Sequence, residues 1–209
     1  MTDVIGVSLF WFVLAVIFAL VEIESEGKFG WAEKMPTWYR TRGLAARVYG
    51  LFLGGKPLTG YHAFMFFLPL VVFHSPFVMG VPWSIEKELL TVALYLAWCP
   101  LWDFLWFVLN PYYTIWNFRP EAVWWHAKSH WILGRFPADY LIGWLLSSVL
   151  AGAVAYLEGS WDTLIRHGLL LGSFLILTFV TILLSPFYHA WCHRMRQRDD
   201  RDKANINHD

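Results

Sequence analysis

Charged residues are scarce in this chain. Only 15% of the 209 residues are Asp, Glu, Lys or Arg, and 57% are hydrophobic, whereas about 25% of the residues in an average soluble domain are charged. The formal net charge is zero, so the basic excess that favours a nucleic-acid partner is missing. This composition argues against a soluble domain and against nucleic-acid binding, and it favours a protein of the lipid bilayer.

The chain has few cysteines and lacks the features of a cleaved signal peptide. Cys99 and Cys192 both lie among apolar residues, so we expect two free, packed thiols rather than a disulfide. The N-terminus has no basic n-region, and no A-x-A-like cleavage site follows the first apolar run. We therefore expect the run Val4 to Val21 to be a retained helix and not a cleaved signal peptide.

Long runs without charge dominate what is present. If His is counted as neutral, the five runs are residues 4–21, 57–85, 89–118, 140–157 and 167–193. Asp103 is the one charged residue inside the third run. A helix needs about 20 apolar residues to cross the hydrocarbon core of a bilayer. We predict an all-α fold: a polytopic integral membrane helical bundle of about five transmembrane helices. Residues 1–193 would form one domain, and residues 194–209 a charged cytoplasmic tail.

The basic residues are distributed unequally between the segments that connect these runs. Of the sixteen Lys and Arg residues, all but Lys87 and Arg166 fall after the first, third and fifth runs. Basic segments stay in the cytoplasm. This asymmetry predicts a multi-pass protein of the cell inner (plasma) membrane, with the N-terminus outside and the C-terminus in the cytoplasm.

The two longest cytoplasmic segments are rich in Trp and Tyr. Residues 27–56 and 111–138 carry ten such aromatic side chains between them, and these residue types prefer the headgroup zone of a bilayer. We predict that both segments lie along the inner interface as short amphipathic helices.

Residues that can bind metal gather at the same predicted depth. The set comprises His62, His126, His130, His189, His193, Asp103 and Glu22. Two pairs within it have the form H-x-x-x-H, and side chains four residues apart stand on one face of a helix. We predict these seven residues as metal ligands, with Asp103 and Glu22 as catalytic carboxylates, either ligands or supports of the ligands.

Asp103 carries the most weight because an acid inside an apolar helix is costly. A metal ion, or a histidine bound to one, would satisfy it, and a structural ion pair with Arg135 or Lys128 is the alternative. The histidine pairs could instead extend towards lipid headgroups. We expect Glu24 and Glu26 to be solvated, His74 to be a core histidine bonded near Pro76, and His167 and His208 to lie at the surface.

Three resemblances add to this pattern. The runs Glu26 to Ala32, Asp103 to Pro111 and Trp124 to His126 resemble small uncharacterised prokaryotic membrane proteins, a family that implies no activity. The pairs His126/His130 and His189/His193, with His62, resemble membrane-bound di-iron desaturases and hydroxylases, although the H-x-x-H-H box of that class is absent. The order His62, Asp103, His189, His193 is similar to that of the seven-helix ceramidase and progestin-receptor superfamily of zinc proteins.

The leading functional expectation is therefore a metal-dependent membrane oxidoreductase that acts on a lipid or another apolar substrate. Imidazole and carboxylate ligands suit iron as well as zinc, and seven candidate ligands favour two iron ions. The first alternative is a zinc-dependent membrane hydrolase. The second is a non-catalytic accessory subunit whose many aromatic residues pack against pigments or against other helices, those of a membrane-protein partner or of a second copy of the chain.

Overall fold

The computed structural model describes residues 2–126 and 129–200, so Lys128 and His208 lie outside the described residues. The fold is all-helical, with 71% of the chain in helix. The described residues form six α-helices: α1 Thr2–Glu26, α2 Leu44–Phe52, α3 Gly60–Val78, α4 Ile85–Leu109, α5 Ala138–Glu158 and α6 Asp162–Gln197.

Five of these helices, all but α2, are long and apolar enough to cross a bilayer. Their most apolar windows have mean hydropathies between 1.5 and 2.8. The five long apolar helices expected from the uncharged runs are thereby confirmed, and their insertion in a membrane stays a prediction. The side of the membrane on which each end lies stays a prediction from the basic residues.

Helix α4 is the centre of the bundle. It packs against α1, α3, α5 and α6, and its second half is almost completely buried, with Trp98, Leu105 and Phe107 removed from solvent. Gly143 lets α5 come close, since a Cβ there would lie only 3.0 Å from the Pro100 ring. This central position places Asp103 within the bundle.

Two helices extend beyond the uncharged runs that predicted them. Helix α1 continues past Val21 to Glu26, and this last turn buries both Glu22 and Glu26. The expectation that Glu26 is solvated is therefore wrong. Helix α6 has 36 residues, so it is about 54 Å long, and it takes the first residues of the predicted tail, Arg194 to Gln197, into a helix.

The two aromatic segments differ from each other. Residues 27–56 contain the short helix α2, whose Leu44, Leu51 and Phe52 are exposed, as an interfacial helix requires. Residues 111–138 contain no α-helix before α5 begins at Ala138, among the described residues, so the predicted amphipathic helix is wrong there. They form two 3₁₀ turns, Ile115–Asn117 and Trp124–His126, because their prolines interrupt helical hydrogen bonding.

Two small antiparallel strand pairs fold these segments against the bundle. Strand β1 (Tyr39–Arg40) pairs with β2 (Leu58–Thr59), and β3 (Trp131–Ile132) pairs with β4 (Phe136–Pro137). The first pair fixes Thr59 at the start of α3, and the second leads directly into α5. Both cysteines are free thiols, as predicted.

Candidate metal centre

The candidate site lies where four helix ends meet. The last turn of α1, the first turn of α3, the second half of α4 and the first turn of α5 are at the same end of the bundle. They contribute two groups of polar side chains. The group around His62 is here named the carboxylate–histidine triad and comprises Glu22, Glu26 and His62; the group around Lys56 is named the lysine cluster and comprises Lys56, Asp103, His126, Asp139 and Tyr140.

The carboxylate–histidine triad is compact and buried. His62 Nε2 lies 3.4 Å from Glu22 Oε1 and 3.6 Å from Glu26 Oε1. One ligand atom from each of the three side chains lies within 4.8 Å of the other two. No side chain of the triad is more than 7% exposed. Within the described residues, this is the one group of three or more His, Cys, Asp or Glu side chains arranged to share a metal ion.

Local geometry explains how these three side chains come together. Glu22 and Glu26 are four residues apart on α1 and therefore stand on one face of the helix. His62 lies in the first turn of α3, where Thr59 is the N-cap: Thr59 Oγ1 accepts a hydrogen bond from His62 N at 3.1 Å. The same oxygen lies 2.9 Å from His62 Nδ1. This contact turns Nε2 towards the two carboxylates.

The turn after α1 covers the triad from one side. Ala32 N donates a hydrogen bond of 2.5 Å to Glu26 Oε1. Trp31 and Ala32 have φ angles of 52° and 54°, a left-handed conformation that is unfavourable for residues with a Cβ. Such strain is found where the surrounding structure enforces it. Here the turn is held because Gly30 lies directly under the Trp125 ring, in space that a Cβ would not fit.

The lysine cluster lies beside the triad. Lys56 Nζ is 3.9 Å from Asp103 Oδ2 and 4.0 Å from Asp139 Oδ2. His126 is completely buried between the same two acids, with Nε2 3.3 Å from Asp103 Oδ2 and Nδ1 3.8 Å from Asp139 Oδ2. Tyr140 donates its hydroxyl proton to Asp103. Asp103 thus has the partner that its position requires, and that partner is Lys56 rather than Arg135.

Burial and charge make this region electrostatically unbalanced. Burial lowers the pKa of His126 below its ordinary value, Lys56 lowers it further, and the two neighbouring acids oppose both effects. Within residues 2–126 and 129–200, Lys56 is the one Lys or Arg side chain that is buried. Four acidic side chains, those of Glu22, Glu26, Asp103 and Asp139, are therefore grouped around one buried lysine.

Several buried polar atoms in these segments have no hydrogen-bond partner among the described residues. They are Tyr49 Oη, Tyr61 Oη, Trp102 Nε1, Trp106 Nε1, His126 Nδ1, Ser129 Oγ and Asp139 Oδ1. Buried polar groups in proteins are nearly always hydrogen-bonded. The Tyr49 hydroxyl is close enough to Glu22 and Asp103 for both acids to add to the rise of its pKa that burial causes. At least two of these groups lie close to the acids: the Tyr49 hydroxyl, and His126 Nδ1 at 3.8 Å from Asp139 Oδ2.

The structure brings four of the seven predicted ligands to this region: Glu22, His62, Asp103 and His126. His130 and His193 are exposed, and His189 Nε2 bonds to Val108 O at 3.0 Å instead. The reasoning from H-x-x-x-H spacing is wrong for the first pair, because His126 ends a 3₁₀ turn and His130 lies in no helix. In α6 the spacing is helical, but that face is directed away from the acids.

The sequence reasoning missed Glu26, Lys56, Asp139 and Tyr140. The i, i+4 spacing of Glu22 and Glu26 could have identified Glu26.

His74 is also different from its prediction: it is partly exposed and bonds to Glu88 Oε1 at 2.9 Å and to Leu70 O at 2.7 Å. His167 is half-buried, with Nε2 3.1 Å from Ser147 Oγ, and is not a surface residue.

A cleft leads to the lysine cluster from the end of the bundle. It encloses 310 Å³ and is lined by Arg40, Lys56, Trp124 and Trp125, among others. Lys56 is thus both a wall of the cleft and the partner of Asp103 and Asp139.

Comparisons with known proteins identify no relative: no family model, curated protein or solved structure matches the chain. Any functional conclusion therefore depends on the residues and geometry of the site itself.

Proposed function

We propose that the chain is a membrane-embedded metalloenzyme in which Glu22, Glu26 and His62 hold one divalent metal ion. The observation that carries this proposal is the buried triad, with three ligand atoms of suitable type within 4.8 Å of one another. Catalytic zinc sites typically use three protein ligands of these types and keep a further position for water or substrate.

The charges of the triad favour a bound metal ion over an ion pair between His62 and one of the two glutamates. Burying carboxylates without compensation is very costly, and one protonated histidine would neutralise only one of Glu22 and Glu26. A divalent ion would neutralise both and leave His62 neutral. The contact between Thr59 Oγ1 and His62 Nδ1 fits this state, because Nδ1–H can donate to the hydroxyl while Nε2 offers its lone pair to the ion.

The reaction class that follows is hydrolysis. A metal with three protein ligands lowers the pKa of a bound water to about 7. A metal ion held by Glu22, Glu26 and His62 would supply an activated water for attack on an electrophilic carbon of the substrate, and the bond between that carbon and its leaving group would break. The Asp103–His126 pair would accept the proton from the water and give it to the leaving group, so that the enzyme ends unchanged.

A second candidate is the two-iron oxidoreductase expected from the sequence. Asp103, His126 and Asp139 do form a second carboxylate and imidazole group next to the triad. However, Lys56 Nζ lies 3.9 and 4.0 Å from the two acids, where a second ion would be bound. One ion is therefore favoured, and two ions would require Lys56 to move.

Metal analysis of the full chain, purified in detergent without chelator, tests both candidates. We expect close to one divalent ion per chain, the count of a single three-ligand site. Glu26→Gln and His62→Ala should lose most of it. His130→Ala and His193→Ala, at exposed positions, are the controls and should keep it.

Other outcomes separate the alternatives. Two iron ions per chain, both lost with His126→Ala, would replace the hydrolase with the oxidoreductase. Protein that binds no divalent metal when titrated with Zn²⁺ or Fe²⁺ would overturn both and leave the accessory-subunit interpretation.

A further inference from the structure

We infer that the cleft beside Lys56 is a binding site for a phosphate group, carried either by a lipid headgroup or by a soluble phosphomonoester. The inference deepens the proposed function: the phosphate would anchor a substrate next to the Asp103–His126 pair, and this role rests on the metal centre. Binding of the phosphate group itself depends only on the cleft and has its own test.

The wall of the cleft carries positive charge and no negative charge. Arg40 and Lys56 line it together with Thr41, Trp124 and Trp125, and none of its lining residues is acidic. Its volume of 310 Å³ is at the lower end of the range of roughly 300–1,000 Å³ found for small-molecule sites. The cleft therefore fits a small anionic group.

Lys56 offers the cleft hydrogen-bond donors that the protein does not use. Its side chain is only 5% exposed, and Nζ lies 3.9 Å from Asp103 Oδ2 and 4.0 Å from Asp139 Oδ2. Both distances are longer than the roughly 2.7–3.2 Å of an N–H···O hydrogen bond. Nζ makes no hydrogen bond to any described residue. Because buried donors are nearly always paired, the ammonium group requires an acceptor, and an anion in the cleft would supply one.

Arg40 adds a second cation with the geometry that a phosphate group needs. It lies in β1 opposite Leu58 of β2, and Leu58 is two residues after Lys56. Arg40 is exposed, and within the described residues its guanidinium group has no ion pair or hydrogen bond. A guanidinium group can bind two phosphate oxygens at once, and a lysine adds a point charge. Two cations on one cleft, neither of them hydrogen-bonded, favour a phosphate group over a neutral ligand.

The cleft also lies at the depth where phosphate groups are found. Its lining residues belong to the segments between α1 and α3 and between α4 and α5, and both segments are outside the candidate spans. In a bilayer, segments just outside the spans lie at the level of the headgroups. Lipid phosphates and soluble phosphomonoesters both reach this level.

Calorimetric titration of the full chain in a neutral detergent tests this inference. Glycerol 3-phosphate is the soluble probe, and dihexanoyl phosphatidic acid is the lipid probe. We expect saturable binding. If the natural source is a lipid, phosphatidic acid should bind at least about ten-fold more tightly, because its chains add apolar contacts. Equal affinities would identify a soluble phosphomonoester as the source.

Variants of two neighbouring arginines make the result specific. Arg40→Ala should weaken both probes by about 10- to 100-fold, the effect of losing a hydrogen bond between charged groups. Arg40→Lys, which keeps the charge but not the planar fork, should weaken them less. Arg42→Ala is the matched control, because Arg42 is also exposed but does not line the cleft. It removes the same charge from the same segment and should leave both affinities nearly unchanged.

The contrary results are distinct from those of the metal proposal. No saturable binding of either probe, or equal losses in Arg40→Ala and Arg42→Ala, overturns the phosphate site even if the metal binds. Protein stripped of metal by a chelator should still bind both probes. Binding that disappears with the metal would place the phosphate on the ion and overturn the cleft as its site. Binding by a chain that takes up no metal leaves the phosphate site in place and overturns the metalloenzyme.

Discussion

The indole of Trp31 lies flat against the imidazole of His62, with ring centroids 3.9 Å apart and planes inclined by 12°. The indole Nε1 donates to Pro57 O at 2.8 Å, and Lys56 Nζ lies 4.7 Å from the centre of the Trp31 ring. One side chain from the turn after α1 therefore contacts both the triad and the lysine cluster. It fixes the plane of His62 and lies between Lys56 and the carboxylate–histidine triad.

Removing this ring should disturb metal binding and stability together. Trp31→Ala should lower the free energy of unfolding by about 3–5 kcal/mol, the usual cost of deleting a buried Trp, and weaken metal affinity because His62 loses its support. Trp31→Phe, which keeps a stacked ring, should retain most of both. Trp124→Ala, at a half-exposed position, is the control. Thermal melting and metal titration measure the two effects, and unchanged metal affinity in Trp31→Ala would show that the stacking does not orient the ligand.

Thr59 supports His62 in two ways, as N-cap of α3 and as the partner of Nδ1. Thr59→Val should therefore reduce metal affinity by about 10- to 100-fold, as loss of such a supporting contact does. Thr59→Ser keeps the hydroxyl and should bind metal almost normally. Metal titration of the two variants is the measurement. Equal affinities would mean that Nδ1 needs no partner at this position.

Removing Lys56 should destabilise the fold, because Asp103 and Asp139 depend on its charge. Lys56→Met would leave Asp103 and Asp139 without their shared cation, and breaking a buried ion pair of this kind costs about 3–5 kcal/mol. Because each acid is about a quarter exposed, we expect the lower end of this range. The double variant Lys56→Met/Asp103→Asn should regain part of the loss. If Lys56→Met instead gains a second metal ion, the cluster can hold one once the lysine is gone.

Features of this protein that depend on residues close together in the sequence could be predicted, whereas contacts between residues far apart in the sequence could not. Each long apolar run predicts a helix by itself, so the five long helices could be predicted directly from the positions of the uncharged runs. The prediction for residues 111–138 was wrong because a high content of Trp and Tyr indicates depth in the bilayer but not the conformation of the backbone. Its prolines and Gly134, which has a φ of 65°, favour turns over a helix.

The site was predictable only where a residue was conspicuous by itself. Asp103 stands out in an apolar helix, and Glu22 directly follows the first apolar run. Lys56, between α2 and β2, and Asp139, at the start of α5, look like ordinary polar residues of connecting segments, and only the folded structure shows that they meet Asp103. His189 and His193 have the right spacing on α6, but spacing does not determine which face of a helix turns inward.

His126 gives the metal-free protein a dependence on pH. Its pKa lies below the ordinary value of 6.5 because of burial, so between these two values the folded chain binds fewer protons than the unfolded chain. Stability then falls as the pH drops below about 6.5 and is complete above it. His126→Gln should melt with a smaller difference between pH 7 and pH 5.5 than the wild type, whereas His130→Gln should not alter that difference. An unchanged difference in His126→Gln would assign the pH dependence to other groups.

The orientation of the bundle decides on which side of the membrane the cleft beside Lys56 opens. Ala45 lies in α2, at the end of the bundle that holds the candidate metal site, and Trp161 lies between α5 and α6 at the other end. With both native cysteines replaced by Ala, Trp161→Cys should react with a membrane-impermeant maleimide in intact cells. Ala45→Cys should react only after lysis, because basic segments stay in the cytoplasm. The reverse pattern would place the metal site on the outer face, and any substrate with a polar headgroup would then come from the outer leaflet.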